Sequence, residues 1–140
     1  MSGKKLLIVI PCYNEEEALP STLKRMETLM NKMLGEKLID KNSRVMFVDD
    51  GSAANTWQIL KKGVGKTPFF EALRLSRNFG HQSAILAGMF DNEADIYVTI
   101  DADLQDPPAL LPQMLDTLLT GDYDCAATRR TTRKGEPPLR

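Results

Sequence analysis

Two aspartates one residue apart, Asp101 and Asp103, directly follow the run Ile96-Tyr97-Val98-Thr99-Ile100. At the end of a strand such a pair can point into one cleft. Like charges held that close raise each other's pKa unless a cation lies between them. Hard carboxylate oxygens suit Mg2+ or Mn2+, ions that commonly bridge a carboxylate to a substrate diphosphate. Gln105 adds a neutral oxygen one step further on, and Asp106 is placed to cap a helix opening at Pro107 or Pro108. A bare D-x-D is short and common, and an acidic helix-capping turn would also explain it. Its position favours a site, because two more polar segments fall at comparable points.

The first of these is Asp49-Asp50-Gly51-Ser52, after Val45-Met46-Phe47-Val48. Gly51 and Ser52 permit a tight turn that brings backbone close to a ligand. A carboxylate there can accept hydrogen bonds from a nucleobase or a ribose hydroxyl. For Asp50 an Asx-turn, or a cap for a helix at Thr56, serves equally well. The second is Pro11-Cys12-Tyr13-Asn14-Glu15, where Asn14 or Glu15 is placed to meet a base, while Glu16 and Glu17 suit a helix start. Arg77, Asn78 and His81 lie at another strand end. His81, the only histidine, reads as a cap of the helix that follows rather than as a general base.

These segments need elements to hold them. Short apolar runs predict strands at 6–10, 45–48, 69–75 and 96–100, with a fifth at 123–128. Between them, helical spacing predicts a helix starting between 16 and 21, with Leu19, Leu23, Met26, Met30 and Met33 on its apolar face and Gly35 as its stop. Further helices are expected at 56–62, ended by Gly63 and Gly65, and at 82–90. A last one, from Pro107 or Pro108 to Gly121, carries Leu110, Leu111, Met114, Leu115, Leu118 and Leu119. Strand and helix alternate throughout, which is the pattern of an α/β, doubly wound, mainly parallel sheet. Ligands of such sheets bind beyond the carboxyl ends of the strands, where strand order reverses. The acidic segments fall at those ends.

Composition narrows the class. The chain has 140 residues, 42% hydrophobic and 26% charged, with net charge −1. That suits one domain with a core and argues against disorder and against nucleic-acid binding. Cys12 and Cys125 are far apart in apolar stretches, as expected of two buried thiols in a reducing compartment. The apolar run at 6–10 is too short for a signal segment, and no run approaches the roughly 20 residues of a membrane span. A cytoplasmic protein is therefore expected. The sequence lacks G-x-G-x-x-G after the first strand, a P-loop and a G-x-S-x-G elbow.

Taken together, Ile8-Val9-Ile10-Pro11-Cys12-Tyr13-Asn14-Glu15, Val48-Asp49-Asp50-Gly51-Ser52, Leu75-Ser76-Arg77-Asn78-Phe79-Gly80 and Ile100-Asp101-Ala102-Asp103-Leu104-Gln105-Asp106-Pro107-Pro108 resemble family 2 glycosyltransferases of the GT-A fold. The third and fourth segments resemble the polyprenyl-phosphate branch, which includes dolichyl-phosphate mannose synthases and bactoprenol glucosyltransferases. The resemblance implies that Pro11, Tyr13, Glu15 and Asp49 surround the base of a UDP- or GDP-sugar. It implies that Asp101 lies against the ribose and the metal, and that Asp101, Asp103 and Gln105 hold Mg2+ or Mn2+, with Asp101 and Asp103 as the catalytic pair. Arg129 would approach the phosphates. The reaction implied is transfer of the sugar, with inversion, to a polyprenyl phosphate.

A phosphate acceptor is already anionic near neutral pH and needs no general base. It needs cationic positioning, which the metal and Arg129, Arg130 and Arg133 could supply, although these arginines also fit a solvated basic tail. Residues 1–128 are accordingly expected to form a nucleotide-sugar-binding half domain, ending after about the fifth strand, with 129–140 a basic loop tail. Family members run further, so the acceptor region is expected beyond this chain, in a parent at the inner face of the cell membrane. A sheet edge left open would favour a homo-oligomer. Two other readings compete: a metal-dependent phosphohydrolase, although its D-x-D would be expected on the first strand, and a non-catalytic nucleotide-binding module.

Overall fold

The computed structural model describes residues 3–103 and 110–121. Gln105, Asp106, Pro107, Pro108, the strand expected at 123–128, Cys125 and the arginines at 129, 130 and 133 lie outside the described residues. The chain divides into two units, Met1–Pro108 and Ala109–Arg140. The first carries β1 (Leu6–Cys12), α1 (Leu19–Gly35), β2 (Arg44–Asp49), α2 (Ala54–Val64), β3 (Phe70–Arg74), α3 (His81–Asp91) and β4 (Ile96–Thr99). The second carries α4 (Leu111–Thr120), with Pro112 in its first turn and Gly121 as its C-cap. Among the described residues no helix is long and apolar enough to cross a membrane.

Among the described residues all strand pairings are parallel, and the sheet order is β3-β2-β1-β4. β1 is the hinge of this order, because it pairs with β2 on one side and β4 on the other. All seven of its residues are buried. Each fully buried aliphatic side chain of Leu6 to Ile10 contributes about 1.5–3 kcal/mol relative to an exposed one. From β1 the chain moves outward to β2 and β3, and α3 then carries it back to β4. Right-handed crossovers in opposite directions place α3 on the opposite face from α1 and α2. On the α3 face, Leu7, Val9, Met46, Val48 and Ala84 form one core cluster. On the other face Phe47 meets Phe70 edge-to-face at 5.3 Å.

Several details depart from the sequence expectations for identifiable reasons. Glu16 and Glu17 precede α1 instead of entering its first turn, where no acidic side chain stands. The carbonyl of Glu15 accepts from the amides of Ala18 and Leu19 and starts the helix one turn later. Gly63 does not end α2. It is a packing notch, since a Cβ there would stand 2.8 Å from Leu23 Cδ1, and the cap falls at Gly65. β4 does not share the full burial of β1. It alternates half-buried and exposed residues, because α3 lies over β1 and β2 rather than over it.

Gly51 has φ +75°, and a Cβ there would come within 2.3 Å of Arg77 C and Asn78 N. The turn after β2 thus packs backbone against backbone on the segment after β3. Gly51→Ala is expected to lower stability by about 2–4 kcal/mol, from the left-handed conformation and the overlap together. Gly65→Ala, at φ −69° with only ordinary contacts, should be neutral or stabilising by up to about 1 kcal/mol. Urea denaturation of the two variants checks the contrast, and equal midpoints would contradict it.

Candidate functional site

The reversal of strand order falls between β1 and β4, and a cleft of about 480 Å³ opens at their carboxyl ends. Pro11, Cys12, Tyr13 and Glu15 line it from β1, Asp101, Ala102 and Asp103 from β4, and Asp50, Asn78, Gly80 and His81 from the remaining loops. Of the residues singled out in the sequence, Pro11, Tyr13, Glu15, Asp50, Asn78, His81, Asp101 and Asp103 are therefore brought together in one place. Cys12 and Gly80 join them without having been singled out as site residues.

Each wall is held by its neighbours. Asn14 adopts φ +52°, its amide donates to Ser52 Oγ at 2.8 Å, and its Oδ1 accepts from the amide of Ala53 at 2.9 Å. That exchange locks the loop after β1 to the loop after β2. Asn14 is occupied as a latch, and Tyr13 and Glu15 on either side are set by it. Asp50 is neither an Asx-turn nor a helix cap. Its carboxylate accepts from the amides of Phe79 and Gly80 and from Asn78 Nδ2, at 2.8–3.1 Å. It fixes the 78–80 segment that leads into α3. Asp49 is the residue that closes the turn, with Oδ1 accepting from the amide of Ser52 at 2.9 Å. Asp49 is 0% exposed and stands behind the cleft wall, its Oδ2 lying 3.8 Å from Arg74 Nε without a hydrogen bond among the described residues.

His81 does not cap α3. It is the first helical residue, Gly80 is the N-cap, and no side-chain cap bond forms. Its imidazole instead reaches the cleft, with Nε2 3.8 Å from Asp101 Oδ1, an ion-pair distance too long for a hydrogen bond. The Asp101–Asp103 turn is held from α1, where Thr22 Oγ1 donates to the carbonyl of Ala102.

The electrostatics follow from this crowding. The Glu15 carboxyl is raised above its ordinary range, first by burial and then by Asp103 and Asp101. Burial pushes the Cys12 thiol far up, with Asp49 and Glu15 adding, so it stays protonated and is no nucleophile. Among the described residues no three His, Cys, Asp or Glu side chains stand close enough to hold an ion unaided.

Comparison with known proteins decides the family. The sequence model of Glycosyl transferase family 2 matches residues 7–140. The chain belongs to glycosyl transferase family 2. A glycosyltransferase of Bacillus subtilis, YkcC, is 40% identical over 129 residues, covering 92% of this chain and 38% of the relative. Undecaprenyl-phosphate 4-deoxy-4-formamido-L-arabinose transferase of Proteus mirabilis is 37% identical over 131 residues, covering 93% and 38%. The chain thus spans little more than a third of the length of these relatives. Mannosyltransferase PcManGT from Pyrobaculum calidifontis, solved in complex with GDP-Man and Mn2+, superposes with TM-score 0.69 at 17% identity, over 84% of this chain and 33% of that one. That likeness is one of fold, and the fold is the GT-A type.

The raised Glu15 carboxyl carries a pH signature. An unfolded glutamate titrates near about 4.3. A folded value above it means that the native state is penalised once Glu15 ionises and is free of that penalty below the unfolded value. Glu15→Gln should therefore raise the melting temperature at pH 8, and the gain should vanish near pH 3.5. Thermal scans at the two pH values check this, and a gain of equal size at both would refute it.

Proposed function

We propose that this chain carries the donor-binding part of an inverting glycosyltransferase, which moves a sugar from a nucleoside diphosphate to a polyprenyl phosphate. The observation that carries the reading is the meeting of Glu15, Asp101 and Asp103 in one cleft at the reversal of strand order, in a chain of family 2. The name of the Proteus mirabilis relative supports the polyprenyl-phosphate acceptor. Nothing observed favours a phosphohydrolase or a non-catalytic module, and the family is one of transferases.

The donor set fits a divalent ion. Two carboxylates and a third crowded enough to have its pKa raised concentrate hard oxygens and negative charge. Ions such as Mg2+ are usually held by one or two carboxylates and completed by substrate phosphates, not by a full protein cage. Asp101 and Asp103 would hold the ion, with Gln105 beside them. When bound, the ion supplies charge neutralisation at the leaving diphosphate. The Mn2+ in the PcManGT complex supports this, without choosing between Mg2+ and Mn2+.

The side chains of the chain then divide the remaining work. Pro11 and Tyr13 offer a flat, partly apolar wall for a base, and Glu15 an acceptor for its N–H groups. Asp49, fully buried behind this wall, acts on the base side only by holding the turn at Ser52. Asp101 accepts from the ribose, and the phosphate-binding role expected of Arg129 falls outside the described residues. The acceptor phosphate arrives already ionised, so no residue of the cleft need remove a proton from it. The complexes of PcManGT with GDP-Man and of S. aureus TarS with UDP-GlcNAc make both bases reasonable donors. Such an acceptor resides in a membrane, so the transfer takes place at a membrane surface.

Calorimetry with MnCl2 and either UDP or GDP tests the reading. Binding should require the metal, and Asp103→Ala should weaken it by about 100-fold, equivalent to roughly 2.8 kcal/mol. Binding that is equally tight in EDTA, or unchanged in Asp103→Ala, would overturn it.

A further inference from the structure

Two carboxylates one residue apart repel each other and Glu15, so the turn that carries them needs support from behind. Its middle residue, Ala102, is only 3% exposed. The support comes from Thr22, 1% exposed and 80 residues away in the chain. Thr22 interrupts the apolar stripe of α1 with a hydroxyl. Inside a helix such a hydroxyl ordinarily bonds back to the carbonyl four residues earlier. Here Oγ1 lies 3.0 Å from Ala18 O and 2.5 Å from Ala102 O. One hydroxyl has one proton to give. Ala18 O already accepts the amide of Thr22 at 3.0 Å, as the helix requires. The proton therefore goes to Ala102, where the contact is shorter.

We propose that Thr22 is a positioning residue for the donor site. By holding the carbonyl of Ala102 from α1, it sets how the Asp101 and Asp103 carboxylates present themselves to a divalent ion and a diphosphate. The inference rests on the function proposed above and adds the group that orients its two acidic ligands. Partners that orient metal ligands from behind commonly matter 10–100-fold for affinity. Thr22→Val keeps the shape and removes the donor, while Thr22→Ser keeps the donor.

The probes are MnCl2 with UDP or GDP, measured by calorimetry on the 140-residue chain, alongside hydrogen exchange of the amides at 101–103. Thr22→Ser should bind within about twofold of the parent, and Thr22→Val about tenfold more weakly, with faster exchange at 101–103. Thr22→Ala takes its place if Thr22→Val does not fold. A folded Thr22→Val with parent affinity would overturn the proposal, because a purely structural role costs stability and leaves folded molecules competent. If the parent itself binds neither nucleotide, the donor-site reading falls. Exchange then still decides the clamp: parent-like rates in Thr22→Val overturn it, and faster rates restored by Thr22→Ser support it.

Discussion

β1 is paired in parallel on both sides, and everything chemical in this molecule follows from that. The chain leaves β1 towards β2 and β3 on one side and returns to β4 on the other, so strand order reverses there and the crossovers run in opposite directions. The loops that begin those crossovers diverge at its carboxyl end, and divergence leaves a cleft. Burial makes the arrangement stable, since a strand covered on both faces can be apolar along its whole length. The seven residues Leu6–Cys12 meet that condition. The polar residues that follow them are therefore delivered to one place by a purely apolar element.

Delivery alone would not hold three carboxylates together. The cleft walls are cross-linked by short polar devices, each of which occupies a side chain. Asn14 and Ser52 tie the first loop to the second. Asp50 ties the second to the segment before α3. Thr22 ties the fourth to α1. The charges facing the cleft are held against their own repulsion by groups that are largely neutral. These bonds fix the backbone of the loops around the cleft.

Much of this was legible in the sequence. Runs such as Leu6 to Ile10 are unmistakable, and the position of Asp101 and Asp103 directly after such a run located the cleft. What could not be read depended on contacts between distant segments. Asp49 and Asp50 are adjacent and chemically identical, yet one points behind the wall and closes a turn while the other braces a loop 28 residues away. Gly63 has the local signature of a helix stop, and the side chain of Leu23 packed against it shows why a glycine stands inside the helix instead. His81 looked like a cap because its proximity to Asp101 arises from the return of the chain to β4. Thr22 left one faint trace, a hydroxyl in an apolar stripe.

The contact at Gly51 bears on how such a site can change over evolutionary time. At Gly51 two loops touch main chain to main chain, beside the side-chain bonds that Asp50 makes to the same segment. A residue inserted or removed on either side would separate the two backbones or drive them into each other. This wall of the cleft is closed to length variation. Diversification of donor preference in a lineage built on it must proceed by exchanging side chains at fixed positions, as type is changed within a locked frame.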